Sequence, residues 1–201
     1  MMDIHARHLT SRFGLLFSLA LIGCAAAPAE GPSPQHPSHD AAAGHHPGHG
    51  AHPAMHEAAP APGSADAQLA EVARVHGGAG PWAVAGYRMG RHALKKLGLP
   101  PQSFDLEVIH HTPQKVQFSC IADGASAATG ASVGKLNLRL TEADDAHVAT
   151  TYRRRSTGAT VTLRPSTAFR ARFQDVPREQ LPAAGKIVVE LPDAEIFEEV
   201  P

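Results

Sequence analysis

The sequence predicts an α+β domain, with a mostly antiparallel sheet packed with helices, over residues 68–201. Amphipathic helical patterns open this region and a partly helical pattern closes it. Between them lie short segments in which apolar and polar residues alternate, which is the pattern of half-buried strands. Strands in an antiparallel run flanked by helices belong to the α+β class. A region of about 130 residues is long enough for one domain with its own core.

The first helix is expected over residues 66–76. Apolar residues recur there at a spacing of three, with Leu69, Val72 and Val75 on one face. A helix with one apolar face buries that face against the rest of a domain. We therefore expect these three side chains to contact the core.

The second helix is expected over residues 81–97. Pro81 suits the first turn of a helix, and Gly98, with a proline two residues later, suits its end. Gly86 and Gly90 lie four residues apart and so share one face. Because glycine has no side chain, that face is flat, and we expect another element to pack closely against it.

A strand is expected over residues 104–112, with Leu106 and Val108 facing the core. His110 and His111 are adjacent on this strand. Successive side chains of a strand point to opposite faces, so only one of these histidines can face the core. We interpret that one as a structural histidine with its hydrogen bonds satisfied.

The remaining elements are a short helix, three strands and a helical ending. The helix is expected over residues 119–128, begun by Ser119. Three strands are expected over residues 136–140, 147–153 and 158–164. The last two are joined by a turn at Ser156-Thr157-Gly158. Residues 177–191 are expected to be helical in part, and residues 193–199 to add a last turn. The basic run 153–155 then marks a strand end with solvated charge.

The first 23 residues predict a lipoprotein signal peptide. A basic start precedes an apolar run over residues 13–23, which is too short to span a bilayer. The run ends in Leu21-Ile22-Gly23-Cys24, the pattern of a bacterial lipoprotein cleavage box, in which the Cys24 thiol receives a diacylglycerol. The alternative is an ordinary signal peptide cut at Ala25-Ala26-Ala27. Alanine rather than aspartate after Cys24 indicates the outer membrane, so we expect a lipid-anchored protein of the cell envelope, on the periplasmic face of that membrane.

Residues 24–67, which follow the signal peptide, predict a disordered tether. From Ala25 to Ala67 there is no lysine, arginine or aromatic residue, so the segment cannot bury enough apolar surface to fold. Neutral imidazole is a good ligand for zinc, copper and nickel, and histidine tracts are typical of loose metal binding. The candidate ligands are His36, His39, His45, His46, His49, His52 and His56. The alternative is a solvated tether whose histidines bind no metal.

Charge and cysteine content exclude some classes of protein. The formal net charge is −1, so there is no electrostatic case for a nucleic-acid partner.

The chain has two cysteines, and if Cys24 is lipidated, Cys120 has no partner for a disulfide. Cys120 is then either a small buried side chain or a functional thiol. At the N-terminus of the predicted helix its pKa would be lowered, which favours reactivity or metal binding.

An ordered series of short motifs runs through the predicted domain. In chain order they are His76-Gly77, the helix segment 85–90, Ser119-Cys120 with Asp123, the small-residue turn 129–138 with Lys135, and the ending 191–197. This series resembles the FmdE family, which takes its name from formylmethanofuran dehydrogenase. The resemblance covers essentially the whole domain. It implies a ligand pocket formed by His76, Cys120, Asp123 and Lys135. His76 could instead be a partner for a helix end, and Asp123 an acid favoured by the helix dipole.

The chain departs from the family pattern at three positions. Gly78, Gly80 and Ala131 stand where the family has a histidine and two cysteines. A metal centre needs three or four ligands, so the resemblance implies a reduced set in which only His76 and Cys120 remain as soft ligands. The cofactor expected at the pocket is a transition metal (zinc, copper or nickel), or else one that the sequence does not identify.

The expected function is therefore binding of a metal ion or small ligand, rather than catalysis. One alternative is an envelope enzyme that uses Cys120 as nucleophile and His76 as base. Another is a non-catalytic accessory protein, which an exposed apolar face would favour. The expected partners are the membrane, through lipid on Cys24, and a second copy of the chain or an envelope protein.

Overall fold

The computed structural model describes residues 59–201, and the predictions for the signal peptide, Cys24 and the seven tether histidines fall outside these residues. The helices are α1 (Ala65–His76), α2 (Pro81–Leu97), α3 (Val116–Thr129), α4 (Thr167–Phe173), α5 (Leu181–Glu190) and α6 (Asp193–Ile196). The strands are β1 (Leu106–Thr112), β2 (Leu138–Glu142), β3 (Ala149–Arg154), β4 (Thr160–Pro165) and β5 (Phe197–Val200). Short 3₁₀ turns lie at Asp145–His147 and Arg178–Gln180. Within 59–201, no helix combines the length and apolar character needed to cross a membrane.

The five strands form one mixed sheet in the order β2-β1-β3-β4-β5. Strands β1 and β2 are parallel, whereas the other three neighbouring pairs are antiparallel. The parallel pair arises because α3 connects β1 to β2 as a crossover, which parallel neighbours require. The α+β fold class with a mostly antiparallel sheet is confirmed.

One face of the sheet is buried. Along β1 burial alternates strictly, and Leu106, Val108, His110 and Thr112 all face the core. His111 points the other way and is partly exposed, so the prediction that only one of the two histidines faces the core is confirmed. His110 is fully buried, and its ring nitrogens contact the Thr150 hydroxyl at 2.9 Å and the Phe118 carbonyl at 3.1 Å. It is a satisfied structural histidine.

Helices α2 and α3 pack backbone against backbone. A β-carbon on Gly86 would lie 2.1 Å from the Ile121 carbonyl oxygen, and one on Gly90 would lie 2.8 Å from the Ala128 side chain. Both distances are far below van der Waals contact, so these positions accept only glycine at this helix separation. The predicted flat face on α2 is confirmed, and its partner is α3.

The burial of α1 differs from the prediction. Val72 is buried and Leu69 is packed against the core, but Val75 is 39% exposed. A step of three residues rotates by 300° around a helix, so positions 69, 72 and 75 drift away from one face. A final step of four residues, from Val72, brings His76 back to the buried stripe. The inward-facing residue at the end of α1 is therefore His76, and the prediction for Val75 is wrong.

The third helix begins earlier than predicted. It starts at Val116, with Lys115 as its N-cap, so Ser119 lies inside the first turn and does not begin the helix. The Ser119 hydroxyl donates to the Val116 carbonyl, a local bond within that turn. The three following strands are observed at 138–142, 149–154 and 160–165, each beginning about two residues later than predicted. The turn at 156–158 that joins the last two is confirmed, with Gly158 at φ 74°.

The C-terminal region contains two elements that the sequence patterns did not predict. Helix α4 begins at Thr167 after its N-cap Ser166, whose hydroxyl accepts from the Phe169 amide at 3.0 Å, and it buries Phe169 and Phe173. Strand β5 pairs with β4, so residues 197–199 are extended and not helical as predicted. The helical prediction for 177–191 holds for α5 and its preceding 3₁₀ turn.

Candidate functional site

His76 and Asp123 form the polar part of the candidate site. His76 is the last residue of α1, which ends because Gly77 adopts a left-handed conformation at φ 84°. Its Nδ1 lies 2.8 Å from Oδ2 of Asp123 in the middle of α3, 47 positions along the chain. The histidine side chain is 24% exposed. A carboxylate oxygen can only accept hydrogen bonds, so the Nδ1–H of His76 is the donor. In the neutral ring, Nε2 is then the acceptor nitrogen.

An apolar cavity of about 290 Å³ opens beside this pair, and we call it the His76 pocket. Its apolar walls include Trp82, Val116, Phe173, Val176 and Leu181. Its polar wall residues are His76, Cys120, Gln117 and Gln174. The walls come from α1, α2, α3 and the segment from the end of α4 to the start of α5, so packing of the helix layer creates the pocket.

Trp82 holds one side of the His76 pocket in place. Its indole Nε1–H donates to the Phe173 carbonyl oxygen at 2.8 Å. Its ring meets the rings of Phe118 and Phe169 edge to face, each with centroids 5.0 Å apart. Such contacts stabilise an aromatic cluster beyond the burial of its surface. Trp82 was not among the predicted pocket residues; the signal that could have revealed it is the single tryptophan of the chain beside the Pro81 helix start.

Cys120 lies in the wall of the pocket, but its predicted activation is wrong. Burial raises the pKa of its thiol to about 11, and the negative charge of Asp123 adds to this rise. The prediction of a lowered pKa assumed a helix beginning at Ser119. Because α3 begins at Val116, Cys120 lies in the second turn, past the free amide groups that stabilise a thiolate. The thiol is protonated at neutral pH.

Lys135 lies away from the other three predicted pocket residues. Its ammonium group contacts the Gly130 carbonyl at 2.9 Å and Gln102 Oε1 at 2.8 Å, and lies 5.2 Å from the centre of the Phe104 ring. Gly130 ends α3, about 15 Å along the helix axis from Cys120 at 1.5 Å per residue. Lys135 thus closes the far end of α3, while His76, Cys120 and Asp123 are brought together near its first half.

The described residues do not form a closed metal site. Across residues 59–201, no three side chains of histidine, cysteine, aspartate or glutamate are grouped closely enough to hold a metal ion. A structural site requires four ligands and a catalytic one usually three from the protein. The residues at the His76 pocket therefore do not fit a metal centre by themselves.

The helix segment 85–90 and the chain ending meet through an ion pair. Arg88 donates from Nη2 to Asp193 at 2.7 Å and from Nη1 to the Val189 carbonyl at 2.7 Å. His92 approaches the same carboxylate at 3.4 Å. The two motifs are 105 residues apart in sequence, and this contact fixes the start of α6 on α2.

The mixed five-stranded sheet and the two helices that pack through glycines define a small α+β domain. The order of its sequence motifs points to one protein family. Residues 75–198 match the family described as "FmdE, Molybdenum formylmethanofuran dehydrogenase operon", and the chain belongs to this family. The match spans more than half of the chain and includes His76, Cys120 and Asp123. A search of curated proteins finds no match to the chain.

Proposed function

We propose that this FmdE-family domain binds a small, largely apolar molecule in the His76 pocket and hydrogen-bonds it through the imidazole. The supporting observation is the position of the Asp123-oriented His76 in the wall of an apolar cavity. Ligand pockets are typically apolar with a few placed polar groups, which supply orientation. The volume of about 290 Å³ is near the lower end of such pockets, so the ligand is small.

The ligand chemistry follows from the wall. Five aliphatic or aromatic side chains favour an aromatic or branched aliphatic body. With Nδ1 engaged by Asp123, Nε2 accepts a hydrogen bond from a hydroxyl, or pairs as imidazolium with a carboxylate. The Asp123 carboxylate holds the His76 ring in one orientation through this hydrogen bond, as second partners of functional histidines do. We therefore propose a compact apolar alcohol or carboxylic acid as the ligand class.

Catalysis by Cys120 and metal binding at the pocket have weaker support. A nucleophilic cysteine acts as thiolate, and the raised pKa of Cys120 disfavours that form. His76 hydrogen-bonds Asp123, so the carboxylate rather than the thiol orients the imidazole. A metal at the pocket would need ligands beyond His76 and Cys120, because no three suitable side chains are grouped within the described part of the chain.

We further propose that lipid on Cys24 anchors the protein in the cell envelope and that residues 24–67 form a tether with loose sites for zinc, copper or nickel. The support is the Leu21-Ile22-Gly23-Cys24 box and the histidine content of the tether. In cells fed labelled palmitate, the wild type should acquire label and Cys24→Ser should not. Equal labelling of the two chains would contradict the anchor.

Trp82 permits a direct test of the pocket, because it lies in the wall and is the only tryptophan of the chain. The test titrates small aromatic and branched acids, alcohols and their parent hydrocarbons against tryptophan fluorescence. With at least one acid or alcohol, the fluorescence emission of Trp82 should change and reach saturation. His76→Leu should weaken the binding of that compound about tenfold or more, as loss of one hydrogen bond to a ligand does.

The matched control is His147→Leu. His147 forms the same kind of pair, with Asp144 at 2.6 Å, but it is 76% exposed and is not part of the pocket wall. Binding in this control should equal that of the wild type. No saturable change with any compound, or equal weakening in both variants, would contradict the proposal. Leu181→Phe fills the cavity with a larger side chain, so it should abolish binding of the acid or alcohol and of its parent hydrocarbon.

A further inference from the structure

Two buried main-chain amides at the start of α2 have no hydrogen-bond partner in the described part of the chain. They belong to Trp82 and Ala83, which are 4% and 1% exposed. The first backbone bond of α2 is made one residue later, from the Val84 amide to the Gly80 carbonyl at 3.0 Å, and no side chain caps the helix. Buried amides without a partner are rare in folded proteins, because such a group does not replace the hydrogen bonds that it made to water.

The His76 pocket lies at this end of α2. Its wall includes residues 80–83 and no later residue of the helix. The first amides of a helix point out of its N-terminal end, so a partner for those of Trp82 and Ala83 would lie in the cavity. His76, oriented by Asp123, is part of the same wall. The pocket therefore combines two unpaired amides and one imidazole with apolar side chains.

The charge at this end of α2 is also uncompensated. The N-terminus of a helix carries a partial positive charge, which a nearby acidic side chain stabilises. The first turn of α2 contains no acidic residue, and no aspartate or glutamate of the described chain lies in the pocket wall. By contrast, α1 has Ser64 as its cap and Asp66 in its first turn. An anionic group in the pocket would therefore be attracted to the start of α2.

Neither backbone conformation nor space requires glycine at the cap position of α2. Gly80 has φ −73° and ψ 165°, an extended conformation that other residues adopt readily. A β-carbon there would meet Leu181 at 3.8 Å, which is ordinary van der Waals contact. A serine, asparagine or aspartate at this position would hydrogen-bond the first-turn amides, as Ser64 and Ser166 do in α1 and α4. With glycine, these amides stay available to a ligand.

We propose that the ligand of the His76 pocket is a small monocarboxylate whose carboxylate group binds the amides of Trp82 and Ala83. This carboxylate site rests on the proposed function, since it lies in the same pocket, and it selects the acid over the alcohol as the ligand class. A carboxylate has two oxygen atoms that only accept hydrogen bonds, so it can satisfy both amides at once. An alcohol has one oxygen and brings no negative charge to the positive end of the helix. The apolar body of the ligand then contacts the apolar walls.

Variants of Gly80 test the carboxylate site without changing the side chains of the wall. Gly80→Asp places a capping carboxylate on the same amides, whereas Gly80→Ala adds a methyl group and no cap. The probes are two matched pairs, phenylacetate with phenethyl alcohol and isovalerate with isoamyl alcohol. Their binding to the full chain is followed by the fluorescence of Trp82, and each compound is compared with itself across the variants.

Gly80→Asp should weaken binding of the acid about tenfold or more, because the new carboxylate takes the amides and repels the ligand. It should weaken the matched alcohol by less than about threefold, and Gly80→Ala should leave both within about twofold of the wild type. The melting temperature of Gly80→Asp should not fall, since aspartate caps the helix. Equal weakening of acid and alcohol in Gly80→Asp, or acid binding that this variant leaves unchanged, would overturn the carboxylate site.

The amide protons provide a second measurement, by NMR. On saturation with isovalerate, which has no ring current, the amide protons of Trp82 and Ala83 should move to lower field, as they do on donating to a carboxylate. The Ala67 amide already donates to Ser64 at 3.2 Å and should not move. Unchanged Trp82 and Ala83 resonances would overturn the carboxylate site. A wild type that binds an alcohol but neither acid would overturn it while leaving the proposed function intact, and binding of no compound would overturn both.

Discussion

Gly124 on α3 lies directly against the backbone of Ala83 on α2: a β-carbon at Gly124 would stand 1.8 Å from the Ala83 carbonyl oxygen. Gly86 makes the reciprocal approach toward Ile121. The two helices therefore touch through their main chains. This contact fixes where Asp123, the residue before Gly124, meets His76, and so it determines the geometry of the His76 pocket.

Gly124→Ala should destabilise the domain by about 2–3 kcal/mol, although alanine is the better helix former by about 1 kcal/mol. The atom that the new methyl group meets belongs to a backbone, so the helices must separate. The measurement is urea unfolding. The matched control is Gly134→Ala, where no atom lies within 4 Å of the added carbon, and its stability should stay within about 0.5 kcal/mol of the wild type. Equal stability of the two variants would contradict backbone contact between α2 and α3.

Cys120 should react slowly with iodoacetamide near neutral pH. Its pKa is raised to about 11 by burial and by Asp123, so roughly one thiol in a thousand is ionised at pH 8. In a Cys24→Ser chain, the alkylation rate should keep rising with pH up to about pH 11. Asp123→Asn removes a negative charge and should accelerate labelling at pH 8, whereas Asp144→Asn should not. Labelling as fast as a cysteine peptide would contradict the buried position of the thiol.

The stability of the domain should fall on acidification because of His110. Burial lowers the pKa of His110 to about 4, while the unfolded chain has an ordinary histidine at about 6.5. The unfolded state therefore binds the proton first, and stability present above pH 6.5 is lost as pH falls toward 4. Between pH 7 and pH 5 the loss from this residue is about 2 kcal/mol.

His110→Gln should remove this contribution, although it lowers stability at pH 7. The measurement is the free energy of unfolding at pH 7 and pH 5 for each chain. The difference between the two pH values should shrink by about 2 kcal/mol in His110→Gln. If His110→Gln retains the full wild-type difference, another group accounts for the acid sensitivity.

Metal binding by the tether should be separable from the domain. Under the proposal that residues 24–67 form a disordered tether, each binding event must order the imidazoles anew, so the seven histidines should hold several ions weakly. Deleting residues 25–67 should remove these sites in a zinc titration, while the melting temperature changes by no more than a few degrees. A large drop in melting temperature would mean that the tether contributes to folding.

The sequence predicted the helices and strands whose bounds depend on a few neighbouring residues. Helix α2 has its expected bounds because Pro81 and Gly98 act on adjacent peptide groups. Helix α4 was missed because seven residues give little periodic pattern, and its Ser166 cap was the one local signal available. The parallel pairing of β2 could not be predicted, because no short-range pattern specifies which strand lies beside β1.

The fold class, the family and the residues His76, Cys120 and Asp123 follow from the chain alone, since they depend on motif order and short-range periodicity. Folding in three dimensions was needed to learn that His76 pairs with Asp123, that the Cys120 thiol is buried beside a carboxylate, and that Lys135 lies elsewhere. Contacts between residues tens of positions apart are set by how the helices pack, and the separation of α2 and α3 is set by glycines whose effect appears only when the two backbones meet.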